Sequence, residues 1–434
     1  MTPPTSPSPD DAGQDRNQLR RAVVASAVGT AIEWYDFFLY GVAAALVFPA
    51  KFFPTSDPYT GTLLAFSTYF VGFVARPVGA AIFGHYGDRI GRKASLIATL
   101  LIMGLATAAI GLLPGYDTIG MWGGVLLSVG RVLQGIAVGG EWGGSVLLAA
   151  EWSRTSGRGL AASWPQWGAP AGLLLANGAV YLSTAASGDA FLDWGWRVPF
   201  LASIVLVGFG LWIRIGILEP PLFLKMRAEG RTARAPVALV LRRHWREVVL
   251  TALLRTGQQT PFYIFTAFVL SYGTQHLDLP RDTMLGFVLL AAAVSMVAIP
   301  LFGHLSDRFG RRRLVAIGCA LMVVWPFLYF QLLDTGSVAL VCLAIVVAQP
   351  LHDIQYGPQA ALIAESFPAE VRYSGSSLGY QLASITAGGP APLVAIWLLQ
   401  RFGSSMAVAA YLSLCGVVSL VALALLRDGS RADL

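Results

Sequence analysis

The sequence predicts an all-α integral membrane protein whose twelve spanning helices form two pseudo-symmetric bundles of six. Three observations predict it: a composition too apolar for a soluble domain, twelve apolar runs of spanning length, and a motif that recurs in register in the two halves. Of 434 residues, 55% are hydrophobic and 12% charged, and the mean hydropathy is +0.63. A soluble domain carries about 25% charged residues, and so few charges cannot cover this much apolar surface against water. A bilayer does not ask them to.

A span needs about 20 mainly apolar residues to cross a hydrocarbon core of roughly 30 Å. Residues 1–18, rich in Pro, Ser and Asp, read as a disordered cytoplasmic tail. The first span, 21–48, follows Arg20 and Arg21; it is too long for a signal-peptide core and holds two acids, so it stays in the protein. Spans at 61–83, 94–113, 120–149, 159–184 and 196–217 complete an N-terminal bundle over 19–217. The longest polar segment, 218–246, is a cytoplasmic linker. Spans at 247–271, 284–302, 314–333, 337–363, 374–400 and 405–426 build a C-terminal bundle over 247–426, and 427–434 is a second cytoplasmic tail. Cys319, Cys342 and Cys415 lie inside apolar runs without metal-ligand or CxxC spacing, so they read as packing residues; no cofactor or metal is expected.

Basic residues set the orientation. With the N-terminus inside, cytoplasmic segments hold 23 of the 30 Lys and Arg, including Arg214 at the end of the sixth span. The opposite face holds four, Lys51, Arg197, Arg281 and Arg401, and Arg76, Arg131 and Arg255 lie inside spans. The bias puts both termini in the cytoplasm and explains the net charge of +6 as topology rather than nucleic-acid binding.

The halves repeat. Phe83-Gly-His-Tyr-Gly-Asp-Arg-Ile-Gly-Arg-Lys93 follows the second span, and Phe302-Gly-His-Leu-Ser-Asp-Arg-Phe-Gly-Arg-Arg312 follows the eighth. Glu151 and Arg158 after the fourth span echo Glu365 and Arg372 after the tenth, with the same spacing. Two matches in register mean a duplicated six-helix unit, and transporters place substrate at the midplane between such repeats.

These loops resemble the signature of the major facilitator superfamily, and Arg131-Val-Leu-Gln-Gly135 resembles its second motif. The start of the first span, Gly29-Thr-Ala-Ile-Glu-Trp-Tyr-Asp-Phe-Phe-Leu-Tyr-Gly41, is narrower, as are Arg76-Pro-Val-Gly79, Gly140-Glu-Trp-Gly143 and Gly195-Trp-Arg-Val-Pro-Phe200. Together they resemble the metabolite:proton symporter branch. The resemblance implies import of organic acids such as shikimate, 2-oxoglutarate or citrate, or of zwitterions such as proline and betaine. It also implies that spans 1, 4, 7 and 10 line a central cavity. Two departures stand out: the second loop lacks the glycine before its aspartate, and the chain ends soon after the last span, without the heptad extension of osmosensing members.

Charges fall on those four spans. Glu33 and Asp36 are on the first, Arg131 on the fourth, Arg255 on the seventh, and His352 and Asp353 on the tenth. A charge in the bilayer core costs on the order of 3 kcal/mol, so each requires a partner, water or a task. Glu33 and Asp36, three apart, share a helical face. Counted at about 1.5 Å per residue, Asp36 and Arg131 reach one level, as do Arg255 and Asp353. The expectation is an acid–arginine constellation in each half: Glu33/Asp36 with Arg131, and Asp353 with Arg255. Asp36 is the first choice for the coupled proton, then Glu33, with Asp353 in the second half. Arg131 and Arg255 would hold a substrate carboxylate bidentately. Tyr35, Gln134, Gln166, Gln258, Gln259, Tyr263, His352, Gln355 and Tyr356 are the polar groups offered to substrate. The alternative is that the charges are fixed ion pairs setting helix register. Arg76, before Pro77, either gates the inner mouth, or snorkels or bonds carbonyls freed by the proline.

On the cytoplasmic face, Asp88 with Arg89 and Arg92, Glu151 with Arg158, Asp307 with Arg308 and Arg311, and Glu365 with Arg372 read as two latches. Each aspartate can accept hydrogen bonds from a helix N-terminus, and the resemblance implies that such contacts hold the inner mouth shut. The reading is a monomeric proton symporter importing a small organic anion across a bacterial inner membrane. A zwitterion importer is the first alternative, a drug antiporter another, and a non-transporting solute sensor belongs to a different class. A membrane enzyme lacks a metal cluster, nucleophile motif or phosphate loop.

Overall fold

The structure, a computed structural model, describes residues 9–54 and 58–427. All twelve predicted spans are helices: α1 (Pro9–Leu46), α2 (Pro58–Arg89), α3 (Arg92–Leu112), α4 (Trp122–Glu151), α5 (Arg158–Ser187), α6 (Arg197–Ile215), α7 (245–275), α8 (Arg281–Phe309), α9 (Arg311–Asp334), α10 (Val338–Glu365), α11 (372–402) and α12 (Ser405–Leu425). The helix at α1 begins at Pro9, so residues 9–18 of the expected tail are helical; residues 1–8, and 428–434 of the second tail, lie outside the described residues. The linker is also partly helical, over Pro221–Ala228 and Pro236–Arg243, each opened by a proline whose fixed φ suits a first turn.

Large exposed side chains such as Leu105, Val205, Trp212, Val297 and Val324 are apolar, the pattern of an outer surface solvated by lipid. Inside, small residues bring helices together. At Gly79 a Cβ would strike the backbone oxygen of Ile136, and at Gly139 that of Arg76, so α2 and α4 touch backbone to backbone. The halves meet along two symmetry-related seams, α2 and α4 against α11, and α8 and α10 against α5. Helices α7 and α11 each contain one π-helical turn, at Ile264–Phe268 and Ser384–Gly388. Such π-turns inside α-helices concentrate at functional sites.

Candidate substrate and proton site

Three arginines meet near the centre, where the halves face each other. Arg131 on α4 lies over the rings of Phe37, Tyr40 and Tyr69, at 5.0, 4.4 and 4.7 Å from their centroids. Arg76 on α2 lies over Phe37 and Phe73 at 4.7 and 4.6 Å. Arg255 on α7 lies 3.1 Å from the centroid of Tyr380 and donates to that residue's backbone oxygen (2.8 Å) and to Gln258 Oε1 (3.1 Å). Phe37 is thus shared by two guanidinium groups. Tyr263, from the opposite half, is an electrostatic neighbour of all three arginines, and its ring packs 5.6 Å from Phe73.

The expected acid–arginine pairs do not form. Asp36 turns toward α6, where its Oδ1 accepts from Ser203 (2.8 Å), while Arg131 donates to Gln134 (3.1 Å). Asp353 accepts from Ser295 on α8 and from His352 Nδ1 (2.9 Å), not from Arg255. Counting residues along a helix gives depth but not azimuth, and each acid points to a hydroxyl of a neighbouring helix in its own half rather than to the arginine. Among the described residues, no carboxylate oxygen lies within 4.0 Å of Arg76, Arg131 or Arg255. All three are nevertheless buried. Cation–π contacts stabilise by about 0.5–2 kcal/mol each, against an insertion cost of roughly 2.5–3.5 kcal/mol per arginine, and the three positive charges also repel.

The polar candidates divide. Gln258 joins the cluster and contacts His352 (3.0 Å); Gln259 donates to Ser384 in the π-turn of α11 (3.2 Å). Tyr356 is a neighbour of Arg255 and Tyr380. Gln166 accepts from Trp142 (2.8 Å) and reaches the Tyr356 carbonyl oxygen at 3.5 Å, across the halves. Gln134 bridges the cluster to α3, accepting from Arg131 (3.1 Å) and donating to Thr107 (2.7 Å). Two others bond neighbouring backbone: Tyr35 donates to the Pro199 carbonyl oxygen (2.6 Å), and Gln355 donates to the Gly257 carbonyl oxygen (3.0 Å). These hold neighbouring helices together, as polar side chains in membrane bundles commonly do. Arg76 belongs to the cluster, over the rings of Phe37 and Phe73.

Below the cluster, Trp142 of α4 stacks on Tyr380 of α11, with ring centroids 3.5 Å apart and 16° between planes. Tyr373 donates to the Gly140 carbonyl oxygen (2.8 Å), and Gln381 to that of Val138 (3.2 Å). These contacts join α4 and α11 across the two halves. The first residues of α11 are held by Asp88, which accepts from the backbone N–H of Tyr373 (3.2 Å) and Ser374 (2.9 Å) and from the Ser374 hydroxyl (2.8 Å). Asp307 accepts from the N–H of Gly159 (2.8 Å) and Leu160 (3.0 Å) at the start of α5. Arg92 binds Glu151 (3.3 Å) and Asp88 (3.5 Å); Arg311 binds Asp307 (3.2 Å) and Glu365 (3.4 Å), and Arg158 reaches Glu365 at 3.8 Å. Arg372 donates to the Phe367 carbonyl oxygen and is an electrostatic neighbour of Glu151. Arg89 and Arg308 are exposed and stand outside both latches, as the fourth-position spacing of Arg92 and Arg311 brings those residues, not their predecessors, back over the aspartate.

Sequence reasoning missed three features here. Glu219, in the linker, accepts from the N–H of Arg92 (2.9 Å) and Lys93 (3.1 Å), capping α3; partial burial pushes its carboxyl above the ordinary range. Arg214, counted among the cytoplasmic charges, is buried and binds Glu141. The Trp142–Tyr380 stack carried no sequence signal beyond Trp142's place in the Gly-rich stretch.

The Major Facilitator Superfamily pattern matches residues 26–390. An inner membrane metabolite transport protein and a shikimate transporter, both of Escherichia coli, are each 42% identical to this chain, over 96% of both chains for the first and over 98% and 99% for the second. A proline/betaine transporter of the same bacterium is 33% identical over 94% of this chain and 83% of its own length. A solved D-xylose-proton symporter superposes with a TM-score of 0.67 at 19% identity, over 95% of this chain and 99% of that one, a likeness of fold. The chain belongs to the Major Facilitator Superfamily, among its metabolite transporters.

Proposed function

We propose that this protein imports a small organic anion together with protons, by alternating access of the two bundles to a site built on Arg76, Arg131 and Arg255. The observation that carries the reading is the set of three buried guanidinium groups from both halves with no carboxylate bound to them among the described residues. A carboxylate substrate supplies the missing charge, and its two oxygens suit the planar fork of arginine. Because Arg76 and Arg131 belong to one bundle and Arg255 to the other, an anion held between them pulls the halves together. Gln258, Gln259, Tyr263 and Tyr356 orient the remainder of the molecule. Asp36, Glu33 and Asp353 are the acids available to carry protons, each buried within its own half. The shikimate transporter's 42% identity supports a hydroxylated or simple carboxylate as substrate, in a bacterial inner membrane with both termini in the cytoplasm. The protein acts as a monomer, since each chain contains both halves of the site.

Uptake into proteoliposomes under an imposed pH gradient tests this, with shikimate, 2-oxoglutarate, citrate and glycine betaine offered in turn. A carboxylate accumulates when the outside is acid. Accumulation of betaine while every carboxylate is ignored would replace the anion by a zwitterion; binding without accumulation would make the protein a sensor.

A further inference from the structure

At the end of the molecule that carries the linker, a cavity of about 310 Å³ opens where the linker helix Pro236–Arg243, the start of α7 and the end of α12 meet. Arg243, Arg246 and Arg427 line it, and all three are exposed. Among the described residues, no carboxylate oxygen lies within 4.0 Å of any of them; Glu247, the acid in the wall, is 4.0 Å from His244 Nδ1 instead. Helix α7 starts beside the cavity without a side-chain cap, so the positive end of its dipole adds to the three guanidinium groups. The negative end of α12 does not call on them. Arg312 already covers it, donating to the carbonyl oxygens of Leu423 (2.6 Å), Ala424 (3.2 Å) and Leu426 (2.5 Å). The remaining wall is apolar, built on Trp245, Leu250 and Leu425. Trp245 and Leu425 are exposed, and a tryptophan in that position marks the level where hydrocarbon gives way to headgroups.

We propose that this cavity binds the headgroup of an anionic phospholipid. Three arginines against one glutamate leave its wall with a formal charge of +2. A phosphodiester brings negative charge and free oxygens that planar guanidinium forks hold in pairs. A zwitterionic headgroup brings an ammonium as well, which the same arginines repel, so the site prefers phosphatidylglycerol to phosphatidylethanolamine. The volume falls within the range of ligand clefts, roughly 300–1,000 Å³, which suits a headgroup better than a lone ion. Free phosphate would use the arginines and none of the apolar wall. A lipid uses both: its phosphate sits among Arg243, Arg246 and Arg427, and its acyl chains pass Trp245 and Leu425 into the bilayer. Basic pockets beside spanning helices recognise lipid headgroups by this combination.

Native mass spectrometry of the full chain, purified in detergent and freed of lipid, tests this. The protein is titrated with dioleoyl-phosphatidylglycerol, with dioleoyl-phosphatidylethanolamine and with inorganic phosphate. The wild type retains phosphatidylglycerol in preference to phosphatidylethanolamine, and phosphate alone leaves no adduct. At about 1 kcal/mol per basic residue, R246Q weakens that binding roughly fivefold and the triple variant R243Q/R246Q/R427Q about 100-fold. The three side chains are exposed, so the variants keep the melting temperature of the wild type. The control R89Q/R308Q, which removes two exposed arginines outside the cavity, binds as the wild type does. Equal binding by the triple variant and the wild type overturns the site, as does an equal loss in the control. Equal binding of the two lipids overturns the headgroup preference. A phosphate adduct with no lipid bound would make the cavity an ion site. Binding of phosphatidylglycerol only after deletion of residues 428–434 would give it to the chain's own end, and either result overturns the proposal.

Discussion

Arg131 shows what a sequence discloses about a single residue and what it withholds. That a span carries an arginine is legible from hydropathy alone, and so are the acids on α1 and α10. The direction each side chain takes around its helix is not: Arg131 lies over Phe37 and Tyr69, and Asp36 accepts from Ser203. Removing one charged hydrogen-bond donor from the anion site costs about 1.5–3 kcal/mol. Equilibrium binding of the transported carboxylate to Arg131→Gln is therefore expected to weaken roughly 10- to 100-fold, and Arg131→Lys to restore little of it, since an ammonium cannot replace the planar fork over three rings. Unchanged affinity in Arg131→Gln would remove that residue from the site. Arg214 is predicted to behave differently. Losing one partner of its buried pair with Glu141 strands a charge, at a cost of about 3–5 kcal/mol. The double change Glu141→Leu with Arg214→Met recovers much of the loss, read as thermal stability in detergent; additive losses would mean that the two are not coupled.

At the scale of elements, the helices were readable because a bilayer demands about 20 apolar residues per crossing, and all twelve spans are found. The π-turns in α7 and α11 were not, since no local composition distinguishes them from ordinary helix. The latches were half legible: recurrence singled out Asp88 and Asp307, but their acceptance of backbone N–H groups from the opposite bundle depends on packing across the molecule. Capping contacts of this kind contribute about 0.5–2 kcal/mol each. Asp88→Asn and Asp307→Asn are thus expected to shift the protein toward the inward-open state, the pair together more than either alone. The measurement is the labelling rate of a cysteine placed at Ser377, which is buried about one turn before Tyr380 on α11. Labelling from the cytoplasmic side rises in both variants; unchanged rates would mean that the caps do not hold the gate. Gly139→Val, which drives a side chain into the α2 backbone at Arg76, should lower both stability and anion affinity, because it moves the helix that carries one of the three arginines.

For the whole molecule, two bundles divide the labour. Each keeps its acids to itself, Glu33 and Asp36 in one and Asp353 in the other, while the arginines from both converge on the shared centre. The Trp142–Tyr380 stack and the two aspartate caps join the bundles beside a centre walled by aromatic rings, and in the proposed function an anion supplies the balancing charge there. The most direct test is counterflow in proteoliposomes loaded with unlabelled shikimate, with uptake of the labelled compound challenged by carboxylates, glycine betaine and neutral polyols. The account predicts strong inhibition by carboxylates, little by betaine or polyols, and loss of all counterflow in the triple variant Arg76→Gln, Arg131→Gln, Arg255→Gln. Inhibition by betaine or polyols as strong as by carboxylates, or counterflow that survives the triple change, would contradict it.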